Sequence, residues 1–272
     1  MSEIVLEQVT HYYGAERALD KVDLAIEDGV TTAVVGPSGS GKSTLLQLIN
    51  GLIRPTKGRV CVFSKPIDYD ALPGLRRQMG YAVQGIGLFP HMRVWDNITL
   101  LAKLEGWSAN RIRERAESLL QGVGIDRHLG DRYPHELSVG QQQRVGLCRA
   151  MMLNPRIFLL DEPFGALDPI TRNEIHVEFL KLQQAEARTI VFVTQDMREA
   201  VKLADRLVVL CEGRVVQHGT YAEICENPAS DFVTTFIDAQ LGEEEGNDMG
   251  TIDTVAFGYA GSDGSCGRGR SA

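Results

Sequence analysis

Disulfide pairs, long hydrophobic runs and leader-like segments are all missing from this sequence. Its five cysteines are scattered and never form a CxxC pair, which predicts reduced thiols in a reducing compartment. No apolar run approaches the roughly 18 residues that a membrane-spanning helix needs. Residues 1–7 contain neither a basic cluster nor an apolar stretch, so we expect no signal peptide. These absences favour a cytoplasmic protein that reaches a membrane only through a partner.

Excess positive charge is absent as well. The chain of 272 residues has a formal net charge of −8, whereas a general nucleic-acid binder carries a basic stripe. Hydrophobic residues make up 43% of the sequence and charged residues 24%, as in ordinary globular proteins. A chain of this length buries most of its unfolded surface without a disulfide or a structural metal. We therefore expect a globular protein that does not bind nucleic acid.

Apolar runs of strand length predict a parallel β-sheet. They are continuous rather than alternating, which suits strands that are covered on both faces. The predicted strands span residues 32–35, 80–83, 157–160, 189–193 and 207–210. Helical spacing of apolar residues predicts helices after the capping residue Ser108, over 139–153 and over 171–185. The alternation over 60–67, which follows the turn residues 55–58, predicts an antiparallel hairpin strand.

The order of these segments divides the chain into three parts. Residues 1–84 and 156–235 form the predicted sheet-based core, and residues 85–155 form a mostly helical insert. The composition changes after Gln240, where glycine, serine and acidic residues replace large apolar side chains. We expect residues 241–272 to form a disordered tail.

A phosphate-binding loop is predicted between a strand and a helix. The segment fits GxxxxGK[ST] and consists of Gly36, Pro37, Ser38, Gly39, Ser40, Gly41, Lys42, Ser43 and Thr44. The loop amides and the N-terminus of the following helix, which ends near Gly51, would bind phosphate. Lys42 would reach the β- and γ-phosphates, and the Ser43 hydroxyl would ligate Mg²⁺. A Gly/Ser turn could match this pattern by chance, but the flanking strand and helix favour a nucleotide site.

Two carboxylates follow a predicted buried strand downstream. Residues 157–160 are all apolar and are followed by Asp161 and Glu162. Because α/β sheets bind ligands at the carboxyl ends of their strands, we expect both acids near the phosphates. Asp161 would hold Mg²⁺, and Glu162 would act as the general base for the attacking water. A single acid at a strand end is commonly just solvated, so this interpretation depends on the loop upstream.

The segment LSVGQ at residues 137–141 lies between these two motifs and precedes a predicted helix. It resembles the LSGGQ signature of ABC ATPases. This resemblance covers about residues 3–237 and implies an ABC ATPase domain over residues 1–240. The implied fold class is α/β: a P-loop NTPase with a RecA-like parallel sheet core, an antiparallel β subdomain and a helical insert. In that family Ser138, Gly140 and the helix N-terminus bind the γ-phosphate of ATP held by a second ATPase subunit, which implies a homodimer. Without this context Ser138 would be an ordinary N-cap.

Three further residues match functional positions of ABC ATPases. Gln84 resembles the glutamine that senses Mg²⁺ and water. Asp168 lies in a segment that resembles the loop linking the two sites of a dimer. Tyr13 resembles the aromatic residue that stacks on adenine, although Tyr12 is an alternative, and Tyr13 could instead be an ordinary aromatic of an edge strand.

Two positions depart from the family pattern. Gln195 stands where the family has a histidine that contacts the γ-phosphate, and its amide donates a hydrogen bond but carries no positive charge. Val139 replaces the first glycine of the signature, where glycine lets the backbone approach phosphate closely. We therefore expect slower turnover from Lys42, Glu162 and Gln195 than from a site with histidine.

Other segments resemble importer ATPases for glycine betaine, choline, carnitine and related osmoprotectants. They span residues 84–92, 106–108, 131–137, 164–172 and 227–232. The resemblance implies ATP and Mg²⁺ as cofactors, with separate transmembrane permease subunits and a substrate-binding protein as partners. It places the chain peripherally on the inner face of the cell membrane. The apolar stretch 86–94 would receive the coupling helix of a permease, or it packs inside the helical insert. Longer relatives carry CBS domains, and we expect no such regulation here.

Several functions remain open at this point. An ATP hydrolase that drives import is favoured by Lys42, Asp161 and Glu162, although its solute could be another small molecule. A nucleotide-gated subunit with weak hydrolysis is favoured by Gln195. ABC proteins of translation or DNA repair usually carry two cassettes or a long coiled-coil insertion, and the sequence shows neither. Kinases and GTPases lack an LSVGQ-type segment.

Overall fold

The structure is a computed structural model that describes residues 2–83, 85, 87–165, 167–185 and 188–242. The predicted tail therefore lies outside the described residues from position 243 onwards, as does Gln84. In the part of the chain that is described, no helix combines the length and the apolar character that crossing a bilayer requires.

A six-stranded sheet forms the centre of the molecule. Its strands are β3 (Thr31–Val35), β6 (Met79–Ala82), β7 (Ile157–Asp161), β8 (Thr189–Thr194), β9 (Arg206–Cys211) and β10 (Arg214–Gly219). They lie in the order β10-β9-β3-β8-β7-β6, and all neighbours are parallel except β10 and β9. This arrangement confirms the predicted parallel sheet and its five predicted strands.

A smaller antiparallel sheet packs beside the first. It contains β1 (Ser2–Tyr13), β2 (Glu16–Glu27), β4 (Lys57–Val62) and β5 (Lys65–Pro66), in the order β2-β1-β4-β5. The hairpin predicted over 60–67 is present, but it consists of two strands, because Phe63 and Ser64 turn the chain with φ of 55° and 60°. Strand β1 lies between β2 and β4, but its pairing with β4 ends at Thr10, so Tyr13 is paired only with Glu16 of β2.

Nine α-helices lie within the described residues. They are α1 (Lys42–Ile49), α2 (Leu72–Arg76), α3 (Val94–Leu104), α4 (Ala109–Gly122), α5 (Val139–Met151), α6 (Pro169–Ala185), α7 (Met197–Leu203), α8 (Tyr221–Glu226) and α9 (Asp231–Leu241). The predicted cap of α4 is confirmed, since the Ser108 hydroxyl oxygen accepts a hydrogen bond from the amide of Arg111 at 3.4 Å. Helix α6 begins earlier than predicted, at Pro169, which favours the first helical position because its fixed φ is already helical.

The two faces of the central sheet are buried against different partners. Val34, Leu159 and Val191 face a core that contains α1 and the antiparallel sheet. Phe158 and Phe192 face a second core that contains residues of α3 to α7. Because both faces are covered, side chains all along β3, β7 and β8 are buried, which explains their continuous hydrophobicity. Polar residues such as Asp161 and Thr194 lie at the carboxyl ends of these strands.

Candidate nucleotide-binding site

A cleft of about 310 Å³ opens at the carboxyl ends of β3, β7 and β8. It brings together many of the residues that the sequence predicts for a nucleotide site. These residues are Tyr13, Ser38, Gly39, Gly41, Lys42, Ser43, Thr44, Glu162 and Gln195. The parallel register places the ends of the three strands at one edge, so residues distant in sequence become neighbours.

The loop between β3 and α1 requires glycine where the chain is most crowded. A Cβ atom on Gly36 would lie 2.0 Å from the carbonyl oxygen of Leu210 on the neighbouring strand β9. Gly41 precedes the first residue of α1 and has a φ of 102°, which side chains disfavour. The first amides of a helix have no carbonyl partner within the helix, so the start of α1 offers donors to an anion.

Lys42 is buried at the start of α1 and bridges the loop. Its Nζ donates hydrogen bonds of 2.8 Å to the carbonyl oxygens of Gly36 and Pro37. Burial lowers the pKa of the Lys42 ammonium group, while the charges of Glu162 and Asp161 act in the opposite direction. A phosphate group would add further negative charge beside the buried ammonium group and so oppose the effect of burial.

Ser43 and Asp161 connect α1 to the end of β7. The Ser43 hydroxyl donates a hydrogen bond of 3.0 Å to Oδ1 of Asp161. Burial raises the pKa of the Asp161 carboxyl group, and this hydrogen bond opposes the rise. Ser40 Oγ, in the loop, is buried with no hydrogen-bond partner among the described residues. Hydroxyl and carboxylate oxygens are hard ligands that suit Mg²⁺, so this donor set fits a phosphate with its metal ion.

Glu162 and Gln195 directly follow the neighbouring strands β7 and β8, and their side chains are in contact. Nε2 of Gln195 donates a hydrogen bond of 2.5 Å to Oε1 of Glu162. Glu162 has a φ of 46°, a left-handed conformation that is uncommon for a residue other than glycine. The Glu162 amide donates to the Val193 carbonyl oxygen at 3.0 Å, so β8 stabilises this conformation. The two side chains also line a second cleft of about 600 Å³.

Ser138, Gly140 and Asp168 do not line the cleft that contains Lys42. Ser138 caps α5 in a reciprocal pair of hydrogen bonds with Gln141. A Cβ atom on Gly140 would lie 2.7 Å from Cγ2 of Thr171, so close packing of α5 on α6 requires glycine here. Val139 is the first residue of α5 and 45% exposed, so its branched side chain occupies solvent rather than the core.

Tyr13, rather than Tyr12, lines the cleft beside the loop. The hydroxyl of Tyr13 donates a hydrogen bond of 3.0 Å to Oε1 of Gln47. Its ring lies edge-on to His11, with ring centres 4.7 Å apart. The Tyr13 side chain is therefore held at the edge of the cleft with about half of its surface exposed.

Three polar residues in or near the two clefts carry no functional signal in the sequence. Arg17 lines it and pairs with Asp20 at 3.1 Å, yet it belongs to no motif in the sequence. Tyr81 lies on β6, one strand away from Asp161, and burial together with the charge of Asp161 raises the pKa of Tyr81 to about 12. Arg172 lines the second cleft and is indistinguishable in sequence from a solvated helical arginine.

The raised pKa of Asp161 makes the ionised carboxylate a cost to stability. Between its ordinary value of 3.8 and its raised value, the folded chain holds a proton that the unfolded chain has released. Stability therefore falls as pH rises through this window and stays lower above it. We predict that Asp161→Asn increases the free energy of unfolding at pH 7.5, and that the gain shrinks as the pH falls towards 4. Urea unfolding without nucleotide measures both.

Asp126→Asn is the matched control for this prediction. The amide and the imidazole of His128 lower the pKa of Asp126, so its ionised form is stabilising and the expected sign is reversed. Equal losses of stability in both variants at pH 7.5 would show that burial of the Asp161 charge is not the dominant effect.

Known proteins resemble this chain in sequence and in fold. A family model described as ABC transporter matches residues 19–165. The glycine betaine/carnitine/choline transport ATP-binding protein OpuCA of Bacillus subtilis (strain 168) is 50% identical over 233 residues, which cover 85% of this chain and 61% of that protein. The choline transport ATP-binding protein OpuBA of the same strain is 47% identical over 255 residues, covering 93% and 67%. The chain thus spans about two thirds or less of the length of these relatives.

A solved structure gives the same result for the fold. The dimeric structure of a post-hydrolysis state of the ATP-binding cassette MJ0796, bound to ADP and Pi, matches this chain with a TM-score of 0.73 and 34% identity. The match covers 80% of this chain and 98% of that cassette. The family model spans more than half of the 272 residues, and the structural match extends over most of the remainder. The chain therefore belongs to the ABC transporter family, as one of its ATP-binding cassettes.

Proposed function

We propose that this chain binds and hydrolyses ATP as the engine subunit of an importer for quaternary-amine osmoprotectants such as glycine betaine. The observation that carries the proposal is the hydrogen bond to Asp161 from Ser43, which lines the cleft together with Lys42 and Glu162. A hydroxyl, two interacting carboxylates and an ammonium group thus lie near the N-terminus of α1. That combination suits a nucleoside triphosphate and its metal ion better than a neutral ligand.

Lys42 and the start of α1 are proposed to hold the phosphates. The two loop carbonyls that accept hydrogen bonds from Lys42 Nζ keep the ammonium group inside the loop, where phosphate oxygens would replace them. Such an exchange compensates the cost of burying the charge, which the lowered pKa of Lys42 reports. Tyr13 is proposed to stack on the adenine ring at the edge of the cleft.

Ser43 and Asp161 are proposed to hold Mg²⁺, with Gln84 as a further contact. When bound, Mg²⁺ would neutralise negative charge on the β- and γ-phosphates. The orphaned hydroxyl of Ser40 and the oxygen pair formed by Ser43 and Asp161 are the features that fit this group. The charge of the metal would also oppose the effect of burial, which raises the pKa of the Asp161 carboxyl group.

Glu162 is the proposed general base for a water that attacks the γ-phosphate. It follows β7 in a left-handed backbone conformation, and it lines the cleft that contains Lys42. The hydrogen bond from Gln195 orients one carboxylate oxygen and also occupies one of its lone pairs. Gln195 can thus position the base and donate to phosphate oxygen, but it adds no positive charge as the reaction proceeds.

The site is proposed to be completed by a second copy of the chain. Ser138, Gly140 and Asp168 lie away from the cleft within one chain, as expected if they act across a dimer interface. The N-terminus of α5 would then present its amides to the γ-phosphate held by the partner. The exposed side chain of Val139 would lie at this interface.

Permease subunits and a substrate-binding protein are the further proposed partners, which would place the chain peripherally at the inner face of the membrane. Support comes from the transport functions named for its relatives and from exposed apolar side chains near the start of the helical region. Phe89 is 42% exposed and Val83 is 39% exposed. Apolar side chains in such positions suit a coupling helix of a permease.

The first prediction of this proposal concerns steady-state ATP hydrolysis by the purified chain with Mg²⁺. Glu162→Gln should lower kcat by at least about 100-fold, because the general base is removed while the phosphate contacts remain. Gln195→His should raise kcat by up to about tenfold, equivalent to about 1.4 kcal/mol, because a histidine can add positive charge. Activity that survives in Glu162→Gln would contradict the assigned base.

The hydrogen bond between Gln195 and Glu162 also favours a second function, a nucleotide-gated subunit with weak hydrolysis. A wild-type chain that binds ATP without turnover, together with an active Gln195→His variant, would establish this alternative in place of the first.

The second prediction concerns the permease. Phe89→Glu should abolish co-purification of the tagged chain with its membrane subunits, because a charge is placed in an apolar contact. Leu52→Glu is the matched control, since Leu52 is 48% exposed and lies beside α1 rather than in the helical region.

In the reconstituted complex with its binding protein, glycine betaine should stimulate ATP hydrolysis and sulfate should not. Stimulation by sulfate alone would contradict the proposed solute class.

A further inference from the structure

Arg172 on α6 connects the loop that precedes α6 to the start of α7, and it lines the second cleft together with Glu162 and Gln195. Its Nη2 donates a hydrogen bond of 3.0 Å to the carbonyl oxygen of Leu167. Its Nη1 donates to Oδ2 of Asp196 at 3.4 Å, and its Nε lies 3.5 Å from Oε1 of Glu199. Only the planar fork of an arginine can reach these three groups at once.

Glu199 on α7 is the buried partner of this arginine. It is 4% exposed, so its negative charge requires nearby compensation. Oε2 of Glu199 accepts a hydrogen bond of 2.7 Å from the Thr194 hydroxyl, and Nε2 of His176 lies 3.7 Å from Oε1. The His176 ring packs edge-on against buried Phe164, with ring centres 4.6 Å apart. The Glu199 carboxylate is therefore hydrogen-bonded to Thr194 and lies close to Arg172 and His176.

These contacts hold the backbone on both sides of Gln195. Thr194, which precedes it, donates to Glu199 and accepts a hydrogen bond of 3.0 Å from the Asp196 amide. Asp196 follows Gln195, and its carboxylate accepts the hydrogen bond from Arg172. The same carboxylate caps α7 by accepting a hydrogen bond of 2.9 Å from the amide of Arg198. The short turn at the end of β8 is thereby fixed, and its Gln195 side chain reaches Glu162.

We propose that Arg172 and Glu199 form a positioning pair that sets Gln195 against Glu162 and links it to Leu167, the neighbour of Asp168. This inference deepens the proposed ATP hydrolysis and rests on it. A second ATPase chain that moves Asp168 would displace the Leu167 carbonyl, then Arg172, and then the turn that carries Gln195. Arg172 acts only through Gln195, so it contributes to turnover without contacting nucleotide.

The test compares Arg172→Lys with the matched variant Arg206→Lys. Arg206 also pairs with two carboxylates, those of Glu27 and Glu223, but lies outside both clefts. Steady-state hydrolysis by the full chain should show kcat about tenfold lower in Arg172→Lys, with KM within about twofold of wild type. Arg206→Lys should change neither constant. A structural defect would instead change KM and kcat together.

A double-mutant cycle identifies the route of the effect. In a Gln195→Ala background, Arg172→Lys should change kcat by less than about twofold, because the residue through which it acts is gone. A tenfold loss that persists in this background would overturn the proposal, since Arg172 would then act independently of Gln195.

Amide hydrogen exchange of the nucleotide-free chain tests the positioning pair without catalysis. Residues 194–199 should exchange at least about fivefold faster in Arg172→Lys than in Arg206→Lys, while residues 36–44 should be unchanged. Equal exchange in the two variants would overturn the positioning pair. If the wild-type chain does not hydrolyse ATP, the proposed function is overturned instead. Amide hydrogen exchange would then still test whether Arg172 and Glu199 position the turn that carries Gln195.

Discussion

The hydrogen bond from the Ser43 hydroxyl to the Asp161 carboxylate is the interaction on which the site depends. It joins the N-terminus of α1 to the end of β7, two elements separated by more than 100 residues of sequence. The parallel register of β3, β8 and β7 brings these ends to one edge of the sheet. Without that register, Lys42 and Glu162 would not line the same cleft.

Buried charge is the cost of this arrangement. Burial lowers the pKa of Lys42 and raises the pKa of Asp161, so the interior disfavours the charged form of each. A phosphate and a divalent cation would reverse both effects at once. A bound phosphate and metal ion would thus offset the free-energy cost of burying these two charges, which is why we expect nucleotide binding to depend on the metal ion. Stability and ligand affinity are linked through the same groups.

The sequence predicts the parts of the site that depend on local pattern. The loop from Gly36 to Thr44 and the acids at the end of β7 are recognisable because chain neighbours alone define them. The left-handed conformation of Glu162 and its contact with Gln195 depend on strand pairing between β7 and β8, which no local pattern encodes. The turn at Phe63 and Ser64 was also hidden, since phenylalanine is not a usual turn residue and a single serine is a weak turn signal.

Calorimetric titration of the full chain with Mg²⁺-ATP tests the central claim most directly. The wild-type chain should bind with a Kd below about 1 mM, and Lys42→Ala should weaken binding by at least about tenfold, because one buried ammonium contact is lost. Lys57→Ala, which removes an exposed lysine on β4, should leave the affinity unchanged. A folded Lys42→Ala variant that binds as tightly as wild type would contradict a nucleotide site built around this loop.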